Sequence, residues 1–262
     1  MRWGLAILVV VAAGGILLPL VLPDYRAQVF PPLSSPSLAH PFGTDWAGRD
    51  LLARVARGAR ISLTIALTTA AIAATLGATV GLVAGYLGGI VDAVLMRSVD
   101  AALAIPRVFV PMLVLAVLDR VPLPVLILVL GTTGWFSTSR LVRGEVLRVK
   151  EEPFVRAAEA LGARRARVIF RHLVPNCAGP LIVAATLSVA DVLLLEAGLS
   201  FLGLGVQPPT PSWGAMILDG RSSLVTAPWP SLFPGLAIVV TVLAVNLLGE
   251  GLRLSLMPVR RA

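Results

Sequence analysis

The chain has 262 residues, 57% hydrophobic and 14% charged, with a mean hydropathy of +0.89, which is too apolar for an ordinary soluble domain. It sets 22 Lys and Arg against 14 Asp and Glu, a net charge of +8, and in so apolar a chain that excess points to anionic lipid headgroups and away from nucleic acid. The lone lysine, Lys150, lies between Val149 and Glu151, so the glycine-lysine phosphate loop of an ATPase is absent; one cysteine, Cys177, excludes an internal disulfide, and two histidines, His40 and His172, leave little for a metal site.

A hydrocarbon core of about 30 Å takes roughly 20 apolar residues per helix, and the uncharged stretches predict six spans. Trp3 to Pro23 follows Arg2 and reads as a first, uncleaved span, because Pro19 to Pro23 offers no small-x-small cleavage site. Asp24 to Arg60 predicts an external loop that ends in an amphipathic helix, with Leu51, Leu52, Val55 and Ala59 on one face and Asp50, Arg54 and Arg57 on another. Such a helix lies along the membrane interface. Ile61 to Val91 is a second span plus a turn. A third runs from near Asp100 to Leu118, kinked at Pro106 and Pro111, with Asp100 and Arg107 paired or snorkelling near its ends. Val121 to Ser139 makes a fourth, Leu173 to about Leu204 a fifth interrupted only by Asp191 and Glu196, and Ser222 to Gly249 a sixth. Trp213 and Trp229 read as interface anchors.

Between the fourth and fifth spans stand Arg140, Arg143, Arg148, Lys150, Arg156, Arg164, Arg165, Arg167 and Arg171, which predicts a cytoplasmic loop. Arg2 and the tail with Arg253, Arg260 and Arg261 then fall on the same side, so both termini are expected in the cytoplasm. Arg26, Arg49, Arg54, Arg57 and Arg60 run against this count, because it places them outside. The division expected is residues 1–60 as first span plus external loop, and 61–262 as a five-span core with its cytoplasmic loop at about 141–175.

Within that loop, Glu151 to Leu161 predicts a short helix with Pro153 early, where proline is tolerated, and Gly162 at its end. A second helical stretch, Ala163 to Leu173, precedes Pro175. Ala157, Ala158 and Ala160 allow close approach by another protein, so the element reads either as a docking knob or as a solvated basic loop. An intramembrane carboxylate costs roughly 2.5–3.5 kcal/mol at a span centre unless it meets partners or water. Asp191 is therefore a candidate for lining a polar passage, and Glu196 either lines the passage or braces the helix end. Two other classes remain: an intramembrane aspartyl protease built on Asp100 and Asp191, and an ion-gradient-driven secondary transporter.

Ala157-Ala158-x3-Gly162 followed by Pro175 resembles the E-A-A-x3-G-x9-I-x-L-P signature of membrane subunits of ATP-binding-cassette importers, with Arg156 in the glutamate position and His172-Leu173-Val174-Pro175 for I-x-L-P. His40 to Asp50, Gly58 to Leu63, Leu195 to Gly205, Pro211 to Gly214 and Asn246 to Arg253 resemble the second permease subunit of dipeptide, oligopeptide and nickel importers. The resemblance implies an all-α membrane protein of about six transmembrane helices in the type I importer permease fold. It also implies half of a translocation pathway for short peptides, or alternatively for nickel or a nickel chelate, with no cofactor and no catalysis in this chain. The implied partners are a second homologous permease, two cytoplasmic ATPase subunits and an external solute-binding protein, in the plasma membrane of a prokaryote. ATPase coupling falls to Arg156, Ala157, Ala158, Glu159, Gly162 and Pro175. External-receptor contact falls to Asp45, Arg49 and Asp50, in a loop that serves equally to brace the first span against the second.

Overall fold

The computed structural model describes residues 1–256; Arg260 and Arg261 of the basic tail lie outside the described residues. The element order is α1 (Arg2–Val21), α2 (Leu51–Leu87), α3 (Gly89–Leu103), α4 (Phe109–Ala116), α5 (Leu123–Thr133), α6 (Phe136–Lys150), α7 (Pro153–Ala160) and α8 (Arg165–Val168). A π turn (Ile169–Leu173) then leads into α9 (Val174–Phe201), followed by α10 (Trp213–Gly220), a single 3-10 turn (Arg221–Ser223) and α11 (Trp229–Leu256). Among the described residues no strand forms beyond one isolated antiparallel bridge, Thr44 with Asp50.

α2 is the spine. Asp50 caps it, accepting a hydrogen bond from the Ala53 N–H at 2.9 Å. Along its length the buried positions are small, among them Ala59, Ser62, Ala66, Thr69, Ala70, Ala73, Gly77, Gly81 and Gly85, at the three- and four-residue spacing of one helix face. Lipid is as apolar as leucine, so helices in a bilayer associate through close backbone approach, and small residues permit it. α1, α5, α6 and α9 all pack on this spine. α1 is fixed at two more such contacts: Gly4 lies against the Ala244 carbonyl and Leu248 N–H of α11, and Gly15 lies against Ala59 and Arg60 of α2.

Three apolar clusters follow. Ala66 and Ala70 meet Val189, Val192 and Leu193 of α9, Trp213 of α10 and Ile238 and Val245 of α11. Ile65 meets Leu115, Leu126, Leu130 and Leu199 at one end. At the other, Val142, Val146 and Val149 of α6 gather Val155, Val168, Leu173 and Cys177.

α1, α2, the run Arg165–Phe201 and α11 are each long and apolar enough to cross a membrane, and the bent pair α5 and α6, at 42°, adds a fifth. The stretch expected as a third span is broken into α3 and α4 around Ala104–Val108, where Pro106 cannot donate to a helix ladder. Residues 51–60 do not form a separate interfacial helix. They are the first turns of α2, because neither a proline nor a chain-reversing glycine separates Asp50 from Gly88. Trp213 is not an interface anchor: it is 1% exposed and donates Nε1–H to the Val55 carbonyl at 3.0 Å.

A β-carbon at Gly81 would meet Val142 Cβ and the Arg143 nitrogen at 2.9 Å, whereas one at Gly144 would meet nothing within 4 Å. Gly81→Ala is therefore expected to lower stability by about 1–3 kcal/mol, and Gly144→Ala to leave it unchanged. Denaturant titration in detergent micelles checks the pair.

Candidate functional site

The loop between α6 and α9 is a knob with a defined backbone. Glu152 is extended, Pro153 opens α7, and the helix ends when the Gly162 N–H bonds the Glu159 carbonyl at 2.9 Å and the Ala163 N–H bonds the Ala158 carbonyl at 3.0 Å. This double closure requires a left-handed residue, and Gly162 supplies it at φ +79° with nothing within 4 Å of where a β-carbon would stand. Val155 of α7 and Val168 of α8 are buried with Val142, Val146, Val149 and Leu173, so the knob is bolted to α6 and α9. Lys150 fastens it to α2 as well, donating Nζ–H to the Tyr86 carbonyl at 2.9 Å with its ammonium 5.4 Å from the Tyr86 ring centroid.

The outer surface of the knob is mixed. Arg156, Ala157 and Glu159 are exposed, flanked by the exposed apolar side chains Phe154, Leu161 and Phe170, while Ala158 is half-buried. Arg156 ion-pairs with Glu151 of its own chain, both well exposed, a contact worth little in water. Glu159 and Arg165 border a shallow cleft with Tyr86 and Lys150. Pro175 stands in the first turn of α9, exposed.

A second feature lies between the helix breaks. A cavity of about 350 Å³ is lined by Pro106, Arg107, Thr133, Ser137, Ser188 and Asp191 among others, where the chain breaks at Ala104–Val108 and at Gly134–Trp135 and meets the middle of α9. Gly134 makes room for Arg107, since a β-carbon there would stand 3.0 Å from a guanidinium nitrogen. Among the described residues, neither Asp191 nor Arg107 has an ion-pair partner within 4.0 Å. Both residues are exposed on this chain, so the cavity presents one charge of each sign to whatever enters it. From sequence Arg107 reads as a paired or snorkelling charge near a helix end and not as a site residue; a charge beside a predicted proline kink in a span is the available signal.

Glu196 is not in this cavity. It is 2% exposed and accepts hydrogen bonds from the Ser200 hydroxyl at 2.6 Å and the Ser212 hydroxyl at 2.8 Å, and Ser212 in turn caps α10. The carboxylate braces α9 against α10 and does not line a passage. Asp100 does not pair with Arg107. It pairs with Arg140, and it borders a different cavity from Asp191, so the two form no catalytic dyad. With Asp92, which pairs with Arg143 at 3.0 Å through Nε, Asp100 ties α3 to α6.

Asp45, Arg49 and Asp50 also differ from expectation, because all three are buried. Gly48 takes φ +71° where a β-carbon would strike the Phe30 carbonyl oxygen, and the turn so formed folds Asp45 inward. Its Oδ1 accepts the Ala47 and Arg49 N–H groups at 2.9 and 3.0 Å, its Oδ2 accepts Arg49 Nε–H at 2.6 Å, and it pairs with Arg54. Arg54 also reaches Asp219 of α10 at 3.1 Å, and His40 Nδ1 lies 2.9 Å from Asp50. These residues brace the loop to α2 and α10 and are not available as a receptor contact surface. They also account for part of the basic excess expected outside, since Arg49 and Arg54 are neutralised within the fold.

A family profile described as the binding-protein-dependent transport system inner membrane component matches residues 77–258. The chain is similar to a putative peptide permease protein of Brucella suis, 43% identical over 222 residues, 84% of this chain and 73% of that one. It is similar to the oligopeptide transport system permease protein OppC of Salmonella typhimurium, 45% identical over 227 residues, 86% and 75% of the two chains. It is also similar to the dipeptide transport system permease protein DppC of Alkalihalophilus pseudofirmus, 39% identical over 242 residues, 92% and 79%. Among solved structures, an amino acid ABC transporter crystallised with histidines matches with a TM-score of 0.57 at 14% identity, covering 75% of this chain and 91% of that one, a likeness of fold.

Removing Asp45 takes from Arg49 its hydrogen-bonded carboxylate and leaves Arg54 with Asp219 alone, two buried guanidiniums sharing one partly exposed partner. Asp45→Ala is expected to cost about 3–5 kcal/mol of stability, against less than about 1 kcal/mol for Glu145→Ala at the exposed pair with Arg148. Thermal unfolding of the purified variants separates the two.

Proposed function

The chain belongs to the family of binding-protein-dependent transport system inner membrane components, and from that membership we propose that it passes short peptides across the membrane as one half of a paired permease. It is a permease subunit of an ATP-binding-cassette importer with the type I fold, and that family assembles with other permease and ATPase subunits. The relatives are named for peptides, oligopeptides and dipeptides, which supports peptide cargo over nickel. Membership sets aside the ion-gradient-driven alternative.

The partners proposed are a second homologous permease, two cytoplasmic ATPase subunits that receive the knob, and an external binding protein that delivers cargo. Residues 1–60 then supply the first span and the external loop, and residues 61–262 the core, with coupling at about 141–175. Both termini face the cytoplasm of a prokaryotic cell. Arg156, Ala157, Glu159 and Gly162 present or shape the docking surface, with Ala158 behind it and Pro175 at its junction with α9.

The observation that carries this reading is the bolted knob. Closure of the ATPase pair displaces α7; the valine cluster passes that displacement to α6 and α9, and the Lys150 contact passes it to the end of α2. The elements that wall the Asp191 and Arg107 cavity are thereby moved by an event on the cytoplasmic side, as coupling between two sites through a shared two-state element requires. A peptide with free termini brings one ammonium and one carboxylate. The cavity offers Asp191 to the first and Arg107 to the second.

Two measurements test it on the whole transporter reconstituted in proteoliposomes with its ATPases and binding protein. Gly162→Val forces a β-branched residue to positive φ, and uptake should fall at least tenfold while the ATPases still co-purify; normal uptake would remove the knob from the mechanism. Asp191→Ala should lower uptake by a similar factor with ATP-dependent association unchanged, and loss of association with normal uptake would reject Asp191 as a passage residue.

A further inference from the structure

A pocket beside the end of α1 takes no part in coupling or in the cavity just described. It encloses about 450 Å³ between α1 and the first turns of α2, with Pro19 and Leu22 on its apolar side and Asp24, Tyr25, Arg26 and Arg57 on its polar side. Arg57 Nε is buried without a hydrogen-bond partner. The Arg57 and Arg26 guanidiniums lie 5.5 and 5.2 Å from the centroid of the same Tyr25 ring, and Arg26 Nε–H donates to the Tyr25 hydroxyl at 2.9 Å. Neither arginine has a carboxylate within 4.0 Å among the described residues. Asp24 Oδ1 is taken by the Arg26 backbone N–H at 3.0 Å. Two guanidiniums thus converge on one pocket against a single carboxylate.

Depth identifies what fills it. Gly15 of α1 touches Ala59 and Arg60 of α2, and Leu22 shares the pocket with Ala53, so the two helices run antiparallel and Arg57 stands about one turn inside the end of α1. Leu17, Leu20 and Val21 there are 59%, 76% and 80% exposed on this chain, an apolar face of a helix long and apolar enough to cross a membrane. The pocket therefore opens where an apolar surface gives way to a polar loop, the level at which phospholipid phosphates lie. Arginine binds phosphate through charge-assisted, often paired hydrogen bonds.

We propose that this pocket holds the phosphodiester of a phospholipid headgroup, with Arg57 and Arg26 donating to its oxygens and the acyl chains running down the exposed face of α1. The chemistry it recognises, a phosphate oxygen pair, is shared with free phosphate; the apolar floor and the lipid-facing wall select the lipid. The site also accounts for arginines that the external loop retains after Arg49 and Arg54 are neutralised.

The test is native mass spectrometry of the assembled transporter in mild detergent, delipidated and titrated with dioleoyl phosphatidylglycerol, with millimolar inorganic phosphate as a separate arm. The wild type should retain one tightly held phospholipid. Arg57→Gln should weaken that binding about tenfold or more, and Arg57→Lys should keep part of it. Arg26→Gln, at an exposed position that does not endanger folding, should weaken it several-fold. Arg60→Gln, exposed and outside the pocket, should match the wild type. Equal lipid retention in wild type, Arg26→Gln and Arg57→Gln would overturn the proposal. So would protection by inorganic phosphate with no lipid retained.

Discussion

The structure depends on how closely backbones approach α2. Between Ala53 and Gly85 its buried positions are alanine, glycine, serine or threonine, save for Arg54 near its start and Ile65 midway, so α1, α5, α6 and α9, among others, come within reach of its main chain. In lipid no hydrophobic force pushes helices together, and contact area at short range takes its place. The permease fold is therefore set by what α2 lacks in side-chain volume. Where a bulkier side chain meets α2 it is paired with a glycine, as Trp213 is with Gly58.

Charge is handled in three ways, and each marks a different role. At the start of α2, Asp45, Arg49, Arg54 and Asp219 form a largely buried network in which Asp45 serves both guanidiniums and Arg54 reaches Asp219, with one Arg49 nitrogen left without a hydrogen-bond partner. Such networks hold geometry, and their loss is costly because each removal strands a charge. Around the knob, Arg148, Arg156 and Glu151 are exposed and pair with little energetic gain, with Glu145 and Glu152 half-buried beside Arg148. In the cavity, Asp191 and Arg107 are exposed and have no ion-pair partner among the described residues. Treating every intramembrane or loop charge as one class would have merged a buried brace, exposed surface pairs and charges that line a cavity.

The sequence was most legible where a local rule decides the outcome. Pro153 and Gly162 bracket α7 as helix starts and stops dictate, and most of the apolar stretches reappear as helices. It was least legible where the deciding partner is remote. Asp45 and Arg49 look like loop charges until Arg54 and Asp219, the latter in a different helix, enclose them. Glu196 looks like a passage residue until Ser212, beyond a loop, turns to meet it. The amphipathic start of α2 resembled an interfacial helix because its charged face was assigned to water, whereas Arg54 turns inward to carboxylates. The third span differs in detail for a local reason: the stretch expected as one kinked helix is two, α3 and α4, broken around Pro106.

The π turn at Ile169–Leu173 carries one residue more per turn than the helices on either side of it, and it joins α8 to α9 without interrupting the rod. Deleting one residue there would let the turn close as ordinary α-helix with the phase of α8 kept, whereas inserting one more would swing α8 by about 100° around the rod axis and turn Val168 out of its cluster. The turn thus tolerates the loss of a residue better than the gain of one, and a lengthened variant would carry Val168 away from Val142, Val146 and Val149 even with every side chain of that cluster preserved.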